Sequence, residues 1–163
     1  MEGDHKFKPL LKDNYNEFQP RISPNGRWMA YVSDESGKNE VYVRPFPEVD
    51  GGRWQISTSG GDSPLWSPGG RELFYRNGDA VMAVPVKTDP SFSLETPKTL
   101  FHGTYVSFGV QGNRTELNPW DISPDGKRFL MVKQPDALAY GGPRKINIVV
   151  NWLEELKQRV PVK

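Results

Sequence analysis

Short apolar runs of strand length, set between polar turn-forming residues, pattern almost the whole chain. Trp28-Met29-Ala30-Tyr31-Val32, Leu73-Phe74-Tyr75 and Phe129-Leu130-Met131-Val132 are rich in the aromatic and β-branched residues that suit a pleated surface. Each run directly follows, or nearly follows, one phrase: Ser23-Pro24-Asn25-Gly26-Arg27, Ser67-Pro68-Gly69-Gly70-Arg71 and Ser123-Pro124-Asp125-Gly126-Lys127. In each phrase Pro presets φ, the next residue tolerates the turn, and Gly accepts a positive φ before the chain reverses. The phrase therefore predicts a hairpin turn, with a first strand before it and a second after it. Third strands follow at 40–44, 80–86 and 145–151, the last reading Ile146-Asn147-Ile148-Val149-Val150, as dense as a strand covered on both faces. Fourth strands follow at 53–57 and 97–101, and the third unit has none.

The phrases begin 44 and then 56 residues apart. The first interval is a blade length and the second is a blade length with one insertion, so the repeats predict an all-β fold, a β-propeller of three four-stranded blades. The predicted boundaries are a closing strand at 6–12, blade one at 18–58, blade two at 62–102, blade three at 118–151 and a short helix at 151–160. The helix follows from Asn151 as N-cap, Glu154 three residues on, and apolar residues at Leu153, Leu156 and Val160. Phe7-Lys8-Pro9-Leu10-Leu11 resembles the fourth-strand segment Pro97-Lys98-Thr99-Leu100-Phe101. Phe7, Leu10 and Leu11 are thus expected to supply the missing outer strand of a partner's third blade. Propellers commonly have four to eight blades, so the expectation is a homodimer forming one six-bladed ring, each chain a half-propeller. The alternative is a piece of a longer propeller whose other blades lie elsewhere.

Composition agrees. Gly (16) and Pro (15) are abundant, as many tight turns require, and 36% apolar with 25% charged residues suits a folded domain. A net charge of +1 supplies no overall field for nucleic acid or an anionic membrane. No apolar run approaches membrane-spanning length and the first residues lack a signal-peptide core, so the chain as written is expected in the cytoplasm, or outside it if cut from a membrane-anchored parent. With no cysteine, disulfides and thiolate chemistry are excluded.

The candidate chemistry is thin. Only His5 and His102 are present, no Gly-x-Ser-x-Gly elbow occurs, and no triad can be assembled, which predicts a chain that is not an enzyme and needs no cofactor or metal. Asp34-Glu35-Ser36-Gly37-Lys38-Asn39-Glu40 has oxygen ligands but lacks the acidic spacing of a calcium loop, and reads as a solvated hairpin. Asn113-Arg114-Thr115 matches a glycosylation sequon without secretory context. First strands line a propeller's channel. Alternation puts Gln19, Arg21, Ser63 and Asp121 toward that channel, as ligand contacts or an inter-blade ion pair, with Ile22, Trp66 and Ile122 in the core between blades. The insertion at 103–117 carries Tyr105, Phe108, Asn113 and Arg114 as a candidate partner-binding loop.

The three turn phrases, Ala30-Tyr31-Val32-Ser33-Asp34-Glu35-Ser36-Gly37 followed by Glu40-Val41-Tyr42-Val43, and Gly52-Arg53-Trp54-Gln55-Ile56-Ser57 resemble the TolB-like (WD40-like, PD40) repeat family. The resemblance spans nearly the whole chain and looks closest to the blades that follow bacterial serine/threonine kinase domains, although no kinase motif is present here. It implies a protein-interaction or assembly module, with a small-molecule or carbohydrate sensor as the alternative. Propellers host unrelated activities, so the resemblance carries fold further than function.

Overall fold

The computed structural model describes residues 9–106 and 120–132, and the backbone of 146–150. The predicted helix at 151–160, Phe7, and loop residues Phe108, Asn113 and Arg114 lie outside the described residues.

Among the described residues, twelve strands form three antiparallel sheets in sequence order. The first holds β1 (Glu17–Ile22), β2 (Trp28–Ser33), β3 (Glu40–Pro45) and β4 (Trp54–Gln55) in that order. The second holds β5 (Asp62–Trp66), β6 (Glu72–Asn77), β7 (Ala80–Lys87), β8 (Ser93–Leu94) and β9 (Lys98–His102). β7 carries two outer partners: its first half pairs with β9 and its end with β8. The third holds β10 (Trp120–Ile122), β11 (Arg128–Val132) and β12 (Ile146–Val150), with no fourth strand among the described residues. The chain is thus all-β and propeller-like, one meander per repeat. The predicted fourth strand at 53–57 shortens to β4, and β8 is an addition that its two-residue length hides in the sequence. Residues 9–12 form no strand.

The turn phrase works through its serine. The Ser23 hydroxyl donates to Asn25 Oδ1 (2.7 Å) and accepts from the Trp28 amide (3.0 Å), and Asn25 Oδ1 also accepts from the Arg27 amide (3.1 Å). The third turn repeats this set with Ser123, Asp125, Lys127 and Arg128. In the second, Gly69 removes the side-chain acceptor, leaving only the Glu72 amide bonded to Ser67 Oγ at 3.0 Å. Gly26, Gly70 and Gly126 hold φ of 72°, 64° and 71°, where a side chain would strain the backbone.

Burial follows blade contacts. Trp28, Ala30 and Val32 of β2 share a cluster with Leu73 and Tyr75 of β6, closing blade one onto blade two. Phe74 of β6 meets Phe129 and Met131 of β11, with the Phe74 and Phe129 rings edge-to-face at 5.0 Å. Fully burying each such side chain contributes about 1.5–3 kcal/mol. The segment before β8 reaches back to blade one. The Trp28 indole donates to the Thr88 carbonyl (2.9 Å), the Trp28 and Phe92 ring centroids lie 5.2 Å apart, and Arg27 pairs with Asp89 at 2.6 Å.

Candidate functional site

Among the described residues, four places hold the predicted site residues or unusual polar groups: the inner edge between blades one and two, a buried carboxylate at that junction, the seam between blades two and three, and the outer faces of the terminal blades.

At the inner edge, β1 and β5 each carry a β-bulge, and Gln19 and Ser63 adopt φ of 53° and 52° at the same repeat position. Non-glycine residues are uncommon in this region, and the conformation persists where its surroundings fix it. Here Gln19 Oε1 accepts the Ser63 amide at 2.8 Å, capping a donor that the bulge removes from its ladder. Both side chains are buried rather than open to a channel, which corrects the expectation for Gln19 and Ser63. The bulge adds one residue and so resets the alternation on which that expectation rested. Ile22 lies beyond the bulge and stands 43% exposed, whereas Trp66 at the same repeat position is buried in the cluster between blades one and two and donates through its indole to the Arg21 carbonyl at 3.0 Å. Trp120 makes the corresponding reach from blade three, donating to the Ser63 carbonyl at 2.9 Å. Arg21 is half-buried, and Asp121 is exposed with its carboxylate accepting from the Ile122 amide at 2.8 Å. Among the described residues no ion pair joins Arg21 to Asp121.

Glu40 is fully buried at the junction of blades one and two. Its carboxylate accepts from the Ser57 hydroxyl and the Gly60 amide (2.9 Å), with Lys38 Nζ at 3.3 Å. Burial together with the Glu40 charge pushes the Tyr75 hydroxyl up to about 12. The loop that suggested oxygen ligands is thus internally engaged. Glu35 pairs with Arg53, and Asp34 accepts from the Asn16 amide (2.9 Å) and side chain (2.6 Å), bonds that lower its pKa.

Between blades two and three, Arg76 is buried, donates from Nη2 to the Gly78 carbonyl at 2.9 Å, and lies 5.6 Å from the Tyr105 ring. Tyr105 packs inward on Phe101, so the described part of the candidate partner-binding loop is a half-buried ring at an inter-blade seam. His102 sits at the surface, 3.3 Å from Asp79.

The outer faces differ. On blade one Met29, Tyr31 and Tyr42 are buried with Leu11 packed against them. A groove of about 220 Å³ runs beside them, lined by Leu10, Leu11, Glu17, Pro20, Met29 and Tyr31 among others. Glu17 Oε1 is buried without a hydrogen-bond partner, and desolvation, with Asp13 adding, raises its pKa against the opposing pull of Arg44. On blade three, β11 alternates strictly: Phe129 and Met131 are buried, while Leu130 and Val132 stand 44% and 37% exposed.

No family model matches the chain, and no curated protein matches it. Solved structures do. The chain is similar to an oligogalacturonate lyase from Vibrio parahaemolyticus, at 16% identity and a TM-score of 0.51 over 76% of this chain and 31% of that one. It is also similar to the Pyrococcus horikoshii acylaminoacyl peptidase, at 18% identity and 0.50 over 82% of this chain and 20% of that one. A putative TolB from Agrobacterium tumefaciens aligns at 22% identity over 79% of this chain and 42% of that one, with a TM-score of 0.45, too loose to carry weight. The chain therefore spans less than half the length of each. At these identities the likeness establishes fold, and the propeller-like class predicted from the repeats stands. It also corrects one expectation: enzymes are among the fold's relatives, so the reading of the chain as not an enzyme is withdrawn. No helix among the described residues is long and apolar enough to cross a membrane.

Proposed function

We propose that the chain is a protein-interaction and assembly module, a half-propeller whose terminal blades pair with those of a second copy to close a six-bladed ring. The observation that carries this reading is the burial of β11. Leu130 and Val132 occupy the repeat positions of Ala30 and Val32 in blade one, which the neighbouring blade covers completely, yet here they face solvent. Exposed apolar strand surface is costly unless a partner removes it from water. A ring of three blades is smaller than the four to eight that propellers typically use, so further blades are needed to cover this surface, and in this reading a second copy supplies them. Light scattering on the purified chain tests it. A mass of two chains, stable on dilution, supports assembly; the mass of one folded chain overturns it.

A further inference from the structure

The structure repeats one rule of blade contact twice, and we infer that the same rule defines the seam between copies: the Leu130 and Val132 face of one chain seats in the Leu10–Leu11–Met29 groove of the other. This rests on the assembly reading above and adds the identity of the two faces. Counting from the turn serines, positions 30, 74 and 130 are equivalent, as are 29, 73 and 129. Ala30 shares its cluster with Leu73, and Phe74 meets Phe129. In both junctions the first set of one blade packs on the second set of the next. Extending the series by one step puts Leu130 against Met29, which belongs to blade one of a second copy.

A second observation reaches the same pairing. Each junction holds an apolar residue from the segment that leads into the next blade: Ile56 between blades one and two, and Phe101 between blades two and three. Leu11 occupies this role on the outer face of blade one, packed against the Met29, Tyr31 and Tyr42 cluster. Part of a junction is therefore assembled on blade one already. The groove beside Leu11 is lined mainly by apolar side chains and holds about 220 Å³, in scale with the aliphatic side chains that β11 leaves in solvent. Because the contact joins unlike faces, two copies related by a two-fold axis make it twice and leave neither face open.

Charge pairing across the seam tests this. Leu10 and Leu130 are both substantially exposed, so substituting either leaves the core of a single chain intact. Leu130→Asp alone and Leu10→Lys alone are each expected to reduce the light-scattering mass from two chains to one, with far-ultraviolet circular dichroism unchanged. Combining both in one chain is expected to restore the two-chain mass at low salt and lose it at high salt, since the new pairs are screened. If either single variant remains dimeric, or the double variant stays dissociated, the seam is wrong, while a dimeric parent chain keeps the wider assembly reading. A parent chain of single mass overturns both.

Discussion

Gln19 and Ser63 stand at the same place in successive blades, both with left-handed backbones, and the side-chain carbonyl of the first accepts the main-chain amide of the second at 2.8 Å. The bond is local in space but 44 residues long in sequence, and it exists because each blade's inner strand bulges there. Gln19→Ala leaves the buried Ser63 amide uncapped and is expected to cost about 1–3 kcal/mol. Urea unfolding measures this directly: a midpoint shift at constant slope is the expected result, and an unchanged midpoint would mean that water replaces the side chain.

Glu40 should reveal itself through a tyrosine. Tyr75 titrates near 12 because it is buried and faces the Glu40 charge. Ultraviolet titration of tyrosinate should lose a late-titrating component in Tyr75→Phe, and Glu40→Gln should move that component downward. The sign follows from the charge: removing a nearby carboxylate makes phenolate formation easier.

Glu17 gives a pH dependence of the opposite kind from an ordinary paired carboxylate. Its pKa is raised in the folded chain, so the protonated form favours folding, and that contribution is lost as pH rises through the folded value. Glu17→Gln is therefore expected to raise the unfolding temperature at pH 7 and to have no effect well below the ordinary glutamate range. Scanning calorimetry of both proteins across pH 3–7 decides it; a difference independent of pH would contradict the assignment.

The second turn lacks the acceptor that Asn25 and Asp125 supply in the other two. A Cβ at Gly69 would meet no heavy atom within 4 Å, and this glycine does not need a positive φ. Gly69→Asn is expected to stabilise by about 0.5–1 kcal/mol, by completing the hydrogen-bond set and narrowing the unfolded ensemble. Thermal unfolding should show a rise of a few degrees.

Much of this architecture was legible in the sequence because turn chemistry is local. Pro, Asx and Gly at fixed places in three phrases are enough to position the hairpins, and β2, β3, β6, β7 and β11 fall close to their expected bounds. The facing of the first strands was not legible. A β-bulge reverses the parity of every residue before it, and neither Gln19-Pro20 nor Ser63-Pro64 announces one by composition. The burial of Gln19 and Ser63 comes from that single inserted residue per strand; Ile22 lies after the bulge and is exposed because no blade among the described residues precedes blade one, whereas Trp66 at the same repeat position packs against blade one. β8 escaped for a different reason: two residues are too few for any periodicity.

The two inner junctions share an indole-to-carbonyl bond but differ beside it. Between blades one and two an amide side chain also caps a main-chain donor, and Pro119, at the next repeat position, has no amide hydrogen for a copy of that cap. Blade two is therefore not interchangeable with its neighbours despite their common turn phrase. A blade transplanted into another ring must therefore bring half of each neighbouring joint with it.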